Sequence, residues 1–163
     1  MKFDYIIIGS GVAGLYFADN IPKDKNCLIL CKSDQWACNT FLAQGGIAVS
    51  KSTQSVPSHI ADTMAAGAGL CDKDAVELLC NESVEALREL VGGGMKFDTD
   101  EDENILFTKE AAHSEARIVH ADGDATGKEL YFHLAGKNVH RVCDHTVVVD
   151  LLVRDTFATV LRH

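Results

Sequence analysis

The chain has 163 residues, 47% of them hydrophobic, and a formal charge of −9 at pH 7, enough apolar content to close one sizeable core at the usual size of a domain. That charge, with Lys and Arg scattered, argues against nucleic acid or an anionic membrane surface as partner, since both select clustered basic side chains. No apolar run approaches the ~18 residues of a membrane helix, and Met1 leads straight into a core strand instead of a signal peptide, so no membrane and a cytoplasmic location are expected. The six cysteines, at 27, 31, 38, 71, 80 and 143, form no C-x-x-C pair; free thiols in a reducing compartment are expected.

Tyr5 to Ile8 is continuously apolar, the pattern of a buried parallel strand, and Gly9, Gly11 and Gly14 follow at G-x-G-x-x-G spacing. Gly9 permits a tight turn, Gly11 lets a pyrophosphate approach the backbone, and Gly14 lets the next helix lie close on the strand. A helix with a broad apolar face then runs through Val12, Ala13, Leu15, Tyr16, Phe17, Ala18 and Ile21 until Pro22 stops it. Cys27 to Cys31 is a second buried strand, completing a βαβ unit. The helix start offers unpaired N–H groups and a positive dipole end to phosphates. About twenty residues past the glycines such a fold usually places an acid for the ribose. Here Lys32 stands there, with Asp34 two residues on, which keeps an NADP-type reading open.

From Asp34 to Ser58 the chain is irregular and polar. Within it, Gly45 and Gly46 permit either close approach of a flat ligand or an ordinary turn. Ser58 is expected to cap a helix over 59–66, and Asp72 a longer one with Val76, Leu79, Cys80, Val84, Leu87, Leu90 and Val91 on its core face. Gly92 to Gly94 closes that helix. Two short strands, 95–97 and 105–108, flank the acidic tip 98–104, a solvated hairpin end whose spacing fits no calcium loop.

Residues 109–127 hold the densest polar run. His113 and His120, with Asp122 or Asp124, match no familiar metal spacing, and no metal is expected. Glu110, His113 and Arg117 either face a small anionic or zwitterionic substrate or pair among themselves on a surface loop. Thr126 is expected to cap a helix through Leu134. After it come a strand over 139–143 and a hairpin of 146–154 with 157–161.

Five segments together resemble the flavoprotein family of L-aspartate oxidase and the fumarate reductase/succinate dehydrogenase flavin subunits: Ile8-Gly-Ser-Gly-Val-Ala-Gly14, Asn39-Thr-Phe-Leu-Ala-Gln-Gly-Gly-Ile-Ala48, Gly67-Ala-Gly-Leu-Cys-Asp72, the box Glu110-x-x-His-Ser-x-x-Arg-Ile-x-His120, and Asp124-Ala-Thr-Gly127. The resemblance implies an α/β, Rossmann-like FAD-binding fold, present in part, with an N-terminal βαβ unit, inserted helices and a small β-hairpin. Residues 1–163 would be the N-terminal part of that domain, with its remainder and the capping domain absent from this chain.

By position, Gly9, Ser10, Gly11, Val12, Ala13 and Gly14 would meet the FAD pyrophosphate and Lys32 its adenosine side. Asn39, Thr40, Phe41, Leu42, Ala43, Gln44, Gly45 and Gly46 would meet the flavin and ribityl chain, and backbone near Val148 and Val149 the adenine. Asn39 stands where the succinate dehydrogenase-type subunits carry the histidine that bonds covalently to flavin, so the resemblance implies non-covalent FAD and favours the aspartate oxidase branch. Glu110 resembles the carboxylate that orients the amino group of bound aspartate. Ala111 and Ala112 replace the family's two glycines.

The chemistry implied is oxidation of L-aspartate to iminoaspartate, with oxygen or fumarate as acceptor, feeding quinolinate and NAD biosynthesis, and quinolinate synthase is the macromolecular partner this suggests. The main catalytic residues would lie in the capping domain, leaving this chain inactive alone. The competing readings are a fumarate reductase/succinate dehydrogenase flavoprotein subunit, a non-catalytic NADP-binding module using Lys32, and a segment holding too little of the site to bind anything.

Overall fold

The computed structural model describes residues 2–154 and 157–162, and side chains through Val153. The chain divides into two compact units, residues 1–43 with 127–163, and residues 44–126.

The first unit is built on a parallel sheet. β1 (Tyr5–Ile8) pairs with β2 (Cys27–Leu30) from Tyr5↔Cys27 to Ile8↔Leu30, and β2 pairs on its other side with β6 (Arg141–Cys143). Central β2 is buried along its whole length, as a parallel strand covered on both sides must be. β1 departs from expectation: Ile7 is buried while Ile6 and Ile8 are exposed, because β1 is an edge strand of this three-stranded sheet. Between β1 and β2, α1 (Val12–Asp19) buries Leu15 and Ala18. It is shorter and narrower than its apolar content suggests: Val12, Tyr16 and Phe17 face outward, and the helix ends at Asn20, before Pro22. Phe17 instead meets Tyr5 edge to face at 5.8 Å.

A short α2 (Asn39–Leu42) interrupts the stretch expected to be irregular. α5 (Thr126–Lys137) buries Leu130, Tyr131 and Leu134. A Cβ on Gly127 would overlap the carbonyl oxygens of Thr40 and Ala43, so only glycine lets α5 start against α2. The expected hairpin is β7 (Val148–Arg154) antiparallel to β8 (Phe157–Arg162), with an irregularity between Val148 and Asp150. Residues 155 and 156 at its tip lie outside the described residues.

The second unit holds an antiparallel sheet in the order β3 (Ile47–Ala48), β5 (Ile118–Val119), β4 (Phe107–Thr108). Residues 95–97 are not a strand. Their segment runs past β5 with Asp98 N–H donating to the His120 carbonyl at 2.8 Å, and β4 takes β5 as its partner. Met95 and Phe97 are core residues without being sheet residues. The acidic tip folds back on Asp100, whose Oδ1 accepts from Asp102 and Asn104 N–H, below a Thr99↔Ile105 bridge.

Two helices pack together in this unit. α3 (Val56–Ala66) starts three residues before the expected point, with Pro57 in its first turn, a place where a missing N–H costs nothing. Ser58 therefore lies inside the helix and does not cap it. α4 (Lys73–Gly92) is capped by Asp72, which accepts from Ala75 N–H at 2.9 Å. It ends through Gly94 at φ +94 with Met95 N–H reaching back to Leu90 carbonyl, the hydrogen bonding of a Schellman motif. Val56, Val76, Cys80 and Val84 form the shared core, each buried valine adding about 1.5–3 kcal/mol. Leu79 and Val91, expected on that face, are exposed. Among the described residues no helix is long and apolar enough to cross a membrane.

Candidate functional site

In the first unit a cleft of about 400 Å³ opens at the carboxyl ends of the parallel strands, the place where open α/β sheets bind ligands. Ile8 to Gly11 line one side and Leu30 to Asp34 another, with Cys38, Asn39 and Thr146 to Val148 completing it. Each wall follows from a strand ending: Gly9 N–H still donates to Leu30 carbonyl at 2.8 Å, and Thr146 N–H to Cys31 carbonyl at 2.8 Å.

The glycine turn fits a dinucleotide phosphate. Gly9 sits at φ +106, where a side chain is strained, and a Cβ on Gly14 would overlap the Gly9 carbonyl. Gly11 caps α1 and offers no side chain to its first-turn amides, which helix geometry leaves without intrahelical acceptors. Val12 N–H is the exception, donating to Thr40 Oγ1 at 2.9 Å. That bond joins the turn to α2, and a Cβ on Gly11 would lie 3.3 Å from the same oxygen. The Ser10 hydroxyl donates to Gln35 carbonyl at 2.6 Å, so Ser10 presents backbone, not hydroxyl, to the cleft.

The sequence-predicted residues fall as follows. Gly9, Ser10, Gly11, Lys32 and Asn39 line the cleft together, while Val12, Ala13 and Gly14 form the first turn of α1. Phe41 is held in an aromatic cluster with Trp36, Tyr131 and Phe132 at 5.5–5.7 Å, and Leu42 is exposed. Val148 lines the cleft; Val149, next along β7, is exposed and does not. Asp34 lines it as well, with His145 Nε2 3.1 Å from its carboxylate. Burial pushes the Cys27 and Cys31 thiols up, and all six cysteines are unpaired, keeping these two protonated and unreactive.

Gln44, Gly45 and Gly46 open the second unit. Gly45 adopts φ +77 and donates its N–H to Asp124 Oδ1 at 2.7 Å. A Cβ on Gly46 would overlap Ile118 Cγ2 and approach Val119 carbonyl. Close approach of β5 thus accounts for Gly46.

Glu110 lies in the loop between β4 and β5, half exposed, with Oε1 3.5 Å from His120 Nε2, which also meets Thr108 Oγ1 at 3.0 Å. Ala112 takes φ +69, a left-handed conformation that glycine adopts freely and alanine does not. The same unit contains a buried polar cluster that sequence patterning missed. Arg117, 1% exposed, donates through Nη2 to Asp62 Oδ2 at 2.8 Å. Hydrogen bonds from the Ser114 N–H and hydroxyl, with Arg117 alongside, hold Asp62 below its ordinary carboxylate value.

His59 is 1% exposed and sits 3.0 Å from Ser50 Oγ. Ser50 spends its one proton on Cys80 carbonyl, so His59 Nδ1 is the donor to Ser50. Burial, then Arg117 and His113, push His59 toward the neutral form. His113 faces His59 at 6.0 Å between rings, and His120 is engaged by Glu110 and Thr108. The signal for the cluster was present in Ser58 and Asp62, four apart on one helix face, but their partners are more than fifty residues away.

Comparison with known proteins identifies the family. Residues 4–161 match the model of the FAD binding domain family. The chain belongs to that family. The L-aspartate oxidase of Arabidopsis thaliana, chloroplastic by its name, is 45% identical over 99% of this chain and 25% of its own length. The L-aspartate oxidase of Clostridium acetobutylicum is 39% identical over 95% of this chain and 36% of its own. FrdA of E. coli quinol fumarate reductase superposes with a TM-score of 0.90 at 23% identity, over 99% of this chain and 29% of that one, which establishes the fold. The chain spans between a quarter and just over a third of the length of these two curated relatives. FAD is the cofactor of this family.

Proposed function

We propose that residues 1–163 are the N-terminal part of the FAD-binding domain of an L-aspartate oxidase, whose remaining flavin-domain segments and capping domain lie outside them. The reading is carried by one observation, the 39–45% identity to enzymes of that name over nearly all of this chain. The reaction is L-aspartate plus oxygen to iminoaspartate plus hydrogen peroxide, or L-aspartate plus fumarate to iminoaspartate plus succinate, the first step toward quinolinate. Bound FAD supplies the two-electron acceptor. The chain's own residues bind and orient: the Gly9 to Gly14 turn takes the pyrophosphate, Lys32 and Val148 border the adenosine half, and Asn39 to Gly46 serve the flavin side. Asn39 has no ring nitrogen with which to bond flavin, so the cofactor is held without a covalent link. Glu110, a half-exposed carboxylate, receives the substrate ammonium. The cytoplasm is the proposed location and quinolinate synthase the proposed partner, since iminoaspartate is the substrate it would take up.

The test is anaerobic addition of substrates to the full-length, FAD-loaded protein. L-aspartate should bleach the visible flavin absorbance and fumarate should restore it, while succinate should not bleach. Bleaching by succinate and not by aspartate would replace this reading with that of a succinate dehydrogenase-type flavin subunit.

A further inference from the structure

The loop that carries Glu110 leaves β4 at Thr108 and reaches β5 through Arg117, closed at its base by Arg117 N–H donating to Thr108 carbonyl at 3.0 Å. Each flanking strand is two residues long, too little ladder to fix the eight residues between. Inside the loop there is one backbone turn, His113 N–H to Glu110 carbonyl at 3.3 Å, and Lys109 Nζ reaches Ser114 carbonyl at 3.0 Å. The loop is fixed from outside, by α3. Asp62 Oδ2 accepts from Ser114 N–H and from Ser114 Oγ, both at 2.7 Å, and from buried Arg117 Nη2 at 2.8 Å. Ser58, one helical turn earlier on the same face, stands 2.7 Å from Glu115 Oε1. A single carboxylate oxygen thus ties the loop's far side to its exit.

We infer that Asp62 is a positioning residue for the substrate amino group: by latching Ser114 and Arg117 to α3 it sets where Glu110 stands. The inference rests on the reading of Glu110 given above. A binding carboxylate must be held within about 0.5 Å of its productive place by groups that do not touch substrate, and Asp62 is the group that meets both Ser114 within the loop and Arg117 at its exit. Removing its charge leaves Ser114 and the Arg117 guanidinium a neutral amide oxygen in place of the carboxylate, a weaker acceptor, and the loop gains freedom to carry Glu110 away.

The test uses the full-length protein with Asp62→Asn, Ser114→Ala and Glu110→Gln, singly and as pairs with Glu110→Gln. Michaelis constants are measured for L-aspartate and for fumarate, which has both carboxylates and no amino group. Asp62→Asn should raise the aspartate KM about tenfold, the effect of one charge-assisted hydrogen bond, with fumarate nearly unchanged. Ser114→Ala should act in the same direction by less. Neither should add to Glu110→Gln, because both act through that carboxylate. Equal shifts for the two substrates, or full additivity with Glu110→Gln, would overturn the inference and leave Asp62 a fold residue. If Asp62→Asn does not fold, the Ser114→Ala pair decides by the same criteria. If Glu110→Gln itself fails to discriminate aspartate from fumarate, the role of Glu110 falls and this inference with it; discrimination by Glu110→Gln alone overturns only the latch.

Discussion

The glycine turn of the first unit and the Glu110 loop of the second are fixed by opposite means. The turn is made of backbone: Gly9 holds a positive φ, a Cβ on Gly11 would crowd Thr40 Oγ1 and one on Gly14 the Gly9 carbonyl, and its supports are strand ladders and one threonine hydroxyl. The loop is held by side chains: a buried arginine and a nearby serine converge on one oxygen of a carboxylate more than fifty residues away. A backbone site fails when something is added to it, and a side-chain site fails when something is taken away.

Removal in the second unit should have the largest effect. Replacing buried Arg117 with Met should destabilise residues 44–126, since it takes the guanidinium away from Asp62 Oδ2 and Ser58 Oγ. Hydrogen exchange should show protection lost in α3 and β5, while fluorescence of Trp36, the chain's one tryptophan, reports an intact first unit. Loss of the Trp36 signal at the same denaturant concentration would mean that the two units unfold as one.

Addition in the first unit comes next. Gly14→Val forces a branched side chain onto the Gly9 carbonyl, and overpacking of this kind costs about 1–3 kcal/mol. FAD affinity, followed by flavin fluorescence quenching, should fall by about ten- to a hundredfold with it, with exchange protection in α3 unchanged. Undiminished affinity would remove Gly14 from the cradle.

The two sites were unequally legible in the sequence for the same reason. A strand, three spaced glycines and a helix lie within the single stretch Tyr5 to Asp19, so local pattern suffices to find the turn. Glu110 was visible through its box, but Asp62, fifty-two residues from Ser114, carries no local mark. Gly46 and Gly127 could be seen as glycines without the reason for them, which is the approach of β5 and of α2. Residues 95–97 have a strand's composition and no strand, because their buried side chains serve the core while β5 takes β4 and β3 as partners. The exposed faces of β1 and α1 mark where apolar content alone overstates burial.

A third, smaller effect follows from pH. Burial lowers His59 below its ordinary 6.5. Between those values the unfolded chain takes up a proton that the folded chain refuses, so the stabilisation is complete above pH 6.5 and is lost as pH falls toward the lowered value. Urea midpoints of the second unit should therefore decline on acidification from neutrality, and His59→Gln should flatten that slope. A midpoint independent of pH across this window would mean that His59 protonates in place.

The smallest effect tests the loop's own backbone. Ala112 holds φ +69, and Ala112→Gly should relieve about 1 kcal/mol of left-handed strain, raising the thermal midpoint of the second unit slightly. A lowered midpoint would show that freedom gained by the unfolded chain outweighs the strain.

The most direct test of the central claim, that the first unit carries a non-covalent FAD cradle, is the visible absorption spectrum of the purified chain after soaking in FAD and desalting. Retained flavin bands that leave the protein on acid precipitation are expected. A colourless protein, or flavin that stays with the acid precipitate, would contradict it.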